Sequence, residues 1–362
     1  MKRYNVAIIG QGRSGRDIHG AFFNSALCKE RFKIVAVADK LAERRKRAVE
    51  EYDPVYGALE DYTEFFALQD KIDLVVNASP SCYHYAITKD LLEHGFNVVC
   101  EKPLARAAAD VDDLIAAAKK AKKLFNVFQQ SRFTAYFNKV KEVIASGVLG
   151  RIIDIEIQFN GFSRRWDWQT LQAFNGGNLL NTGPHPLDQA LNLLDMYDGM
   201  PDVFCKMDRV NTFGDAEDYC KLILTAPNKP LIDLTISSCD AYPSYTYKIH
   251  AEKGGLVGSM TEIEWKYYKS EEAPEQRLIK EPISHADGTP AYCGEKLVLH
   301  ENKWTTGDSG AFSNAVDCYY TMIYDNLTEG KSMEISPYQV RQQIAVIEEC
   351  HRQNPLSKIM DL

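Results

Sequence analysis

The stretch Tyr4–Gly15, YNVAIIGQGRSG, decides how the chain is read. Val6 to Ile9 form a short apolar run with the β-branched bias of a parallel strand buried on both faces. Gly10, Gly12 and Gly15 follow at G-x-G-x-x-G spacing. Gly10 suits a tight turn, Gly12 lets a backbone approach a pyrophosphate, and Gly15 lets the next helix pack closely on the strand. Gln11, Arg13 and Ser14 complete this loop, and its phosphates would sit on a helix N-terminus. A second apolar strand, Ile34 to Ala38, ends in Asp39, 24 residues after Gly15. An acid there accepts hydrogen bonds from an adenosine ribose and repels a 2′-phosphate, which favours NAD over NADP. Lys40 and Arg44 blur that preference.

A chain of 362 residues is long for one core, so two domains are expected. With 45% hydrophobic and 25% charged residues, it has the composition of a globular protein. Its net charge of −8 argues against nucleic acid as a partner. The one basic cluster, Arg44 to Arg47, falls in a helical pattern and reads as a solvated face. Nine cysteines are scattered without a C-x-x-C pair, which fits free thiols in a reducing cytoplasm and predicts no metal site. Met1-Lys2-Arg3 leaves no room for a signal peptide, and no stretch approaches the roughly 20 apolar residues of a membrane span.

Strands and helices alternate as in a parallel sheet built by right-handed crossovers. After Gly15 the helical pattern runs to Cys28, and a charged helix covers Leu41 to Tyr52. A short helix is expected over Asp61 to Leu68, then a strand over Ile72 to Asn77. That strand delivers Ser79 and Pro80 to the crevice at the carboxyl ends of the strands, where ligands bind. His84 opens a helix and suits a cap, a packing residue or a ligand contact. Strand Asn97 to Cys100 delivers Glu101-Lys102-Pro103, and a lysine at the mouth of a nucleotide crevice can orient or deprotonate a substrate hydroxyl.

The glycine loop, Asp39, Ser79-Pro80 with His84, and Glu101-Lys102-Pro103 together resemble the Gfo/Idh/MocA oxidoreductases, the glucose–fructose oxidoreductase and inositol dehydrogenase family. The resemblance implies that Lys102 is catalytic and lies close to the nicotinamide. Glu101 would fix Lys102 or contact the nicotinamide ribose. Gln129, an expected cofactor contact, opens what looks like the family's crossover into a second domain, placing the boundary near residue 128. The expected architecture is α/β: an N-terminal Rossmann domain over 1–128 and a C-terminal α+β domain over 129–362. The second domain would carry substrate binding and oligomerisation on a large, mostly antiparallel, open-faced sheet. Its strands are expected at Arg151 to Asn160, Val203 to Asn211, Tyr219 to Leu224, Leu231 to Ser238, Thr246 to Ala251 and Glu262 to Tyr268. Ser270 to Asp308 reads as a polar surface insertion, and two helices, Ala311 to Leu327 and Pro337 to Gln353, finish the chain.

Between the first two of those strands lies GGNLLNTGPHPLD, which resembles the family's third motif. Gly176 and Gly177 match its glycines, Gly183 and His185 its G-x-H, and Asp188 its closing acid. The family's first Asp is Asn181 here, and it brings no charge to support the histidine. His185 is therefore the expected general base or acid, with Asn181 positioning substrate. Asp188 would orient His185 or cap its helix. Arg164, Arg165 and Trp166, followed by Trp168, suit the rim of a pocket for a polyhydroxylated or acidic ligand. Taken together, the resemblance implies an NAD-dependent dehydrogenase or reductase of a sugar, inositol or related polyol, forming a homodimer or homotetramer through the outer sheet face. A redox-assisted glycosidase that recycles its NAD is the alternative. A non-catalytic NAD sensor has only Asn181 in its favour.

Overall fold

The computed structural model describes residues 2–307 and 312–359; Ala311 and Asp308, at the bounds of two expected segments, lie outside them. The first sheet has six parallel strands in the order β3-β2-β1-β4-β5-β6. These are β1 Tyr4–Ile9, β2 Phe32–Ala38, β3 Ala58–Leu59, β4 Leu74–Asn77, β5 Val98–Cys100 and β6 Phe125–Val127. Order reverses between β1 and β4, which opens a crevice outside their carboxyl ends. Both faces of the sheet are covered, so its central strands are apolar throughout rather than alternating. On one side lie α3, His84–Glu93, and α4, Ala108–Ala121. On the other, the helix after β1 packs with the aromatic face of α8, Phe312–Glu329, through Phe22, Phe23, Tyr319, Tyr320 and Tyr324.

The helix after β1, α1, is wound with wide π-type turns over Arg13–Gly20 and continues as α-helix over Ala21–Phe23. The sequence pattern ran it to Cys28. It stops earlier because Asn24 and Ser25 close the last turns with backbone bonds to Gly20 and Phe22, and tight turns then bury Cys28. A charged helix, α2, follows β2 over Ala42–Tyr52. The segment Tyr62–Leu68 is a tighter 3₁₀ turn, capped by Asp61 and Glu64 in a reciprocal capping box.

The second sheet has eight strands in the order β14-β13-β12-β11-β7-β10-β9-β8. Its strands are β7 Ile152–Asn160, β8 Asp202–Asp208, β9 Tyr219–Thr225, β10 Leu231–Ser237, β11 Tyr247–Ala251, β12 Gly254–Gly258, β13 Glu262–Tyr267 and β14 His300–Thr305. Every pairing is antiparallel except β7 with β10. Sequence alternation missed β12 and β14. GGLVG packs glycines tightly against β13, and HENKWT is an exposed edge strand, so neither shows a period-two apolar face. The expected insertion over 270–308 therefore contains β14.

One face of this sheet buries Ile155, Ile157, Leu222, Leu224, Ile232 and Leu234. Against it pack α7, Pro184–Leu194, and α9, Pro337–Gln353. The opposite face is a polar ladder in which Lys221 meets Asp233 at 2.8 Å and Lys248 meets Glu156 at 3.2 Å. Among the described residues, no helix is long and apolar enough to cross a membrane.

Candidate functional site

The loop from β1 into α1 is shaped for a phosphate group. Gly10 has φ +85°, and a Cβ there would meet the Ala78 carbonyl at 2.3 Å. At Gly15 a Cβ would lie 1.8 Å from the Gly10 carbonyl oxygen, so only glycine lets α1 approach β1. At Gly12 a Cβ would meet nothing but the Arg44 guanidinium at 3.6 Å, leaving open space over the start of α1. A pyrophosphate fits that cradle, where backbone N–H groups and the helix dipole favour an anion. Arg13 is exposed at its edge, and Ser14 is half-buried in the first turn.

Asp39 ends β2 as expected and is 9% exposed. Its Oδ2 accepts from the Gln11 backbone N–H at 2.7 Å and its Oδ1 from that of Leu41 at 2.9 Å, so it also fixes the glycine loop. The basic cluster is not simply a solvated face. Arg44 lies 3.4 Å from Asp39, Arg45 donates to the Asp39 and Lys40 carbonyls, and Arg47 donates to the Gln11 carbonyl. Lys40 instead reaches out to Asp61 at the surface. The spacing of Arg44 and Arg47 along one helix face was the available signal.

Ser79 and Pro80 follow β4 at the crevice. His84, 2% exposed, is a brace between loops rather than a free ligand contact. Its Nδ1 lies 2.7 Å from the Pro103 carbonyl and its Nε2 2.8 Å from that of Ser79. Gln129 is likewise turned inward: fully buried, it donates to Gln343 at 2.6 Å, and Gln343 donates to the Pro184 carbonyl at the start of α7. It ties the end of β6 to the helix that carries His185.

Lys102 follows β5, and its Nζ donates to the Asn181 backbone carbonyl at 2.7 Å. Asn181 closes α6, Asn178–Asn181, a short helix just before α7. Burial lowers the Lys102 pKa below its ordinary 10.5, with Glu101 opposing and Arg13 reinforcing the shift. His185, on the first turn of α7, is half-buried. Burial and then the Lys102 charge depress its pKa to about 3, so it is neutral across the physiological range. Its Nδ1 is enclosed without a hydrogen-bond partner. Lys102, after β5, and His185, on α7, thus lie near enough for the lysine charge to act on the imidazole.

Asp188 neither orients His185 nor caps α7. It forms a buried ion pair with Arg132, whose Nε donates to Oδ2 at 2.7 Å and whose guanidinium also holds the Tyr197 hydroxyl at 2.8 Å. Two oppositely charged groups with no solvent access stabilise one another there.

Next to Asn181, a polar cleft is lined by Ser163, Arg165, Gln169, Asn178, Glu217 and Ser238, among others. Arg165 is held by Asp167 at 2.8 Å and by Gln169. Arg164 lines an adjoining open groove and stacks on Phe213 at 5.0 Å. Trp166, 76% exposed, stands edge-on to the same ring and lies outside the cleft. Glu217 escaped sequence reasoning. It is 2% exposed, accepts from the Leu179 N–H at 2.9 Å, and burial raises its pKa to about 7. Asp154, Glu156 and His250 gather ligand-type atoms within 4.8 Å of one another on the polar face of the second sheet. Lys248 and Tyr245 already occupy Glu156 there.

The family model described as "Oxidoreductase family, NAD-binding Rossmann fold" matches residues 4–129, and the "GFO/IDH/MocA C-terminal domain" matches residues 137–257. The scyllo-inositol 2-dehydrogenase (NADP(+)) of Bacillus subtilis is 24% identical over 352 residues, covering 95% of this chain and 91% of that protein. The D-glucoside 3-dehydrogenase of Escherichia coli is 29% identical over 195 residues, covering 52% of this chain and 53% of that protein. An NAD-binding protein from Listeria innocua shares the fold at a TM-score of 0.78 and 22% identity, covering 99% of this chain and 100% of that one. This chain belongs to the Gfo/Idh/MocA family of oxidoreductases and carries an NAD-binding Rossmann domain.

Proposed function

We propose that the protein transfers a hydride between nicotinamide and a secondary alcohol or ketone of a sugar, inositol or related polyol. The observation that carries this reading is Lys102 Nζ, bonded to Asn181 at 2.7 Å beside neutral His185 and a cleft lined by polar groups. When bound, the cofactor supplies the hydride acceptor or donor. Lys102, made less basic by burial, takes the hydroxyl proton during oxidation and returns it during reduction. A proton on the enclosed Nδ1 of His185 would be an unsatisfied buried donor. On this reading neutral His185 hydrogen-bonds the reacting oxygen through Nε2. Asn181, Asn178, Glu217 and Arg165 hold the remaining hydroxyls.

On the same reading, residues 1–128 hold NAD in preference to NADP, and residues 129–362 bind substrate and form a homo-oligomer through the polar sheet face. The test is a panel of inositols, aldoses, uronates and aryl glycosides with NAD⁺ or NADP⁺, following NADH or NADPH absorbance and free aglycone together. Reduced cofactor rising with one polyol supports the dehydrogenase. Aglycone released without net reduction refutes it in favour of the redox-assisted glycosidase. Lys102→Met should abolish turnover while leaving the affinity for NADH within about threefold of wild type; substantial residual turnover removes Lys102 from the chemistry.

A further inference from the structure

His19 lies on the inner face of α1 with no exposed surface, and both its ring nitrogens are engaged. Nδ1 lies 2.7 Å from the hydroxyl of Tyr320, a residue of α8 that is itself fully buried. Nε2 lies 3.0 Å from Oε1 of Glu101. Phe128 packs edge-on against the imidazole, with ring centroids 4.5 Å apart, and fixes its plane. Burial keeps the Tyr320 phenol protonated, so its O–H donates to Nδ1 and the His19 proton resides on Nε2, aimed at the carboxylate.

Glu101 is held at both oxygens. Oε1 receives the His19 N–H, and Oε2 accepts from the Lys102 backbone N–H at 3.1 Å. Although the two residues are adjacent, no ion pair joins the Glu101 carboxylate to the Lys102 ammonium, which turns instead to the Asn181 carbonyl. An unheld buried carboxylate beside an ammonium would close on it and raise its proton affinity.

We propose that Tyr320, His19 and Glu101 form a buried positioning relay that keeps the Glu101 carboxylate off the Lys102 ammonium, leaving that ammonium free for Asn181 and the substrate. The inference rests on Lys102 being the proton acceptor of the reading above. It assigns His19 and Tyr320 a role that neither the glycine motif nor the Lys102 motif supplies. Tyr320 stands 301 residues from His19 in the chain, so α8 takes part in setting the site. The charged and titratable groups around Lys102 are Glu101, Arg13 from α1 and His185 from α7, and those around Glu101 are His19, His84, Lys102, Cys100, His185, and Tyr319 and Tyr320 from α8.

The test reads Lys102 directly in the full chain without substrate. An amine reacts with acetic anhydride only when neutral, so the pH dependence of Lys102 acetylation, followed by quantitative mass spectrometry, gives its titration midpoint. His19→Leu should raise that midpoint by about one pH unit, as expected for a new partly screened ion pair. His19→Gln, which still offers an N–H, should stay at the wild-type value. Glu101→Gln should lower the midpoint, and the double variant H19L/E101Q should match E101Q alone. Tyr320→Phe, which removes one hydroxyl and keeps the ring, should shift it in the same direction as H19L but by less, and carries the test if H19L does not fold. A wild-type midpoint in both H19L and Y320F, or a shift that persists in the E101Q background, overturns the relay. Silence of the enzyme toward every polyol would remove the proposed activity without touching this result.

Discussion

Gly12→Ala separates the two jobs of the glycine loop. The backbone at Gly12 is extended, with φ −77° and ψ −159°, so alanine is unstrained there, and its Cβ would meet only the mobile end of Arg44 at 3.6 Å. The fold should therefore be indifferent to the change. A methyl group at the mouth of α1 would nevertheless hold a pyrophosphate away from the N–H groups it approaches. Losing two charge-assisted hydrogen bonds of about 1.5 kcal/mol each costs about 3 kcal/mol, or about 100-fold in Kd. Gly15→Ala is the control with the opposite signature: its Cβ would lie 1.8 Å from the Gly10 carbonyl, so β1 and α1 must separate and the melting temperature must fall. NADH fluorescence titration and thermal melting of the three proteins check both. NADH affinity within threefold of wild type in G12A, or a loss of stability matching that of G15A, would refute the reasoning.

Asp39→Ala should weaken NAD about tenfold more than NADP, because it removes the ribose acceptor and the repulsion of a 2′-phosphate together; equal losses in titrations with both cofactors would exclude it as the discriminator. Asp188→Asn leaves the Arg132 guanidinium buried opposite a neutral amide and should cost about 3–5 kcal/mol in urea unfolding, and a loss under 1 kcal/mol would count against the pair. Glu217, whose pKa rises from 4.5 to about 7 on folding, binds more protons folded than unfolded between those values, so its contribution is full below pH 4.5 and is lost as pH rises through 7. That loss amounts to about 3 kcal/mol, and Glu217→Gln should melt increasingly above wild type between pH 5 and 8; parallel curves would refute it.

What could be read from the sequence was local. The strand before Gly10, the spacing to Asp39 and the exit of β5 into Glu101 and Lys102 each follow from a short run whose period or turn chemistry is its own. What could not be read was set by partners far away in the chain. Gln129 fits a cofactor contact until Gln343, 214 residues on, claims it, and Asp188 fits a partner for His185 until Arg132, 56 residues earlier, takes both its oxygens. Arg45 and Arg47 look solvated because their acceptors are backbone carbonyls, which carry no side-chain signature. Glu217 sits in an ordinary strand approach, and only the fold buries it against the turn after Gly177. β12 and β14 lacked the apolar alternation that revealed their neighbours.

The substitution at Asn181 bears on which group accepts the proton. A carboxylate at that position could accept from His185 Nδ1 and leave Nε2 with a lone pair facing the substrate, which is the arrangement of a base. Asn181 contributes its backbone carbonyl to Lys102 instead, and Nδ1 of His185 stays enclosed without a partner. That nitrogen is unsatisfied in either tautomer, so Nδ1 brings His185 no partner that would raise its basicity. Further protonation is opposed by burial and by the Lys102 charge, which together hold the His185 pKa near 3. An imidazole held that far below its ordinary pKa is a weak base toward a hydroxyl. The same burial that silences His185 as a base lowers Lys102 toward the range where it can serve as one, because desolvation disfavours the charged form of both. Under the proposed function, an asparagine at this position leaves proton acceptance to Lys102, whose Nζ is turned to the Asn181 carbonyl.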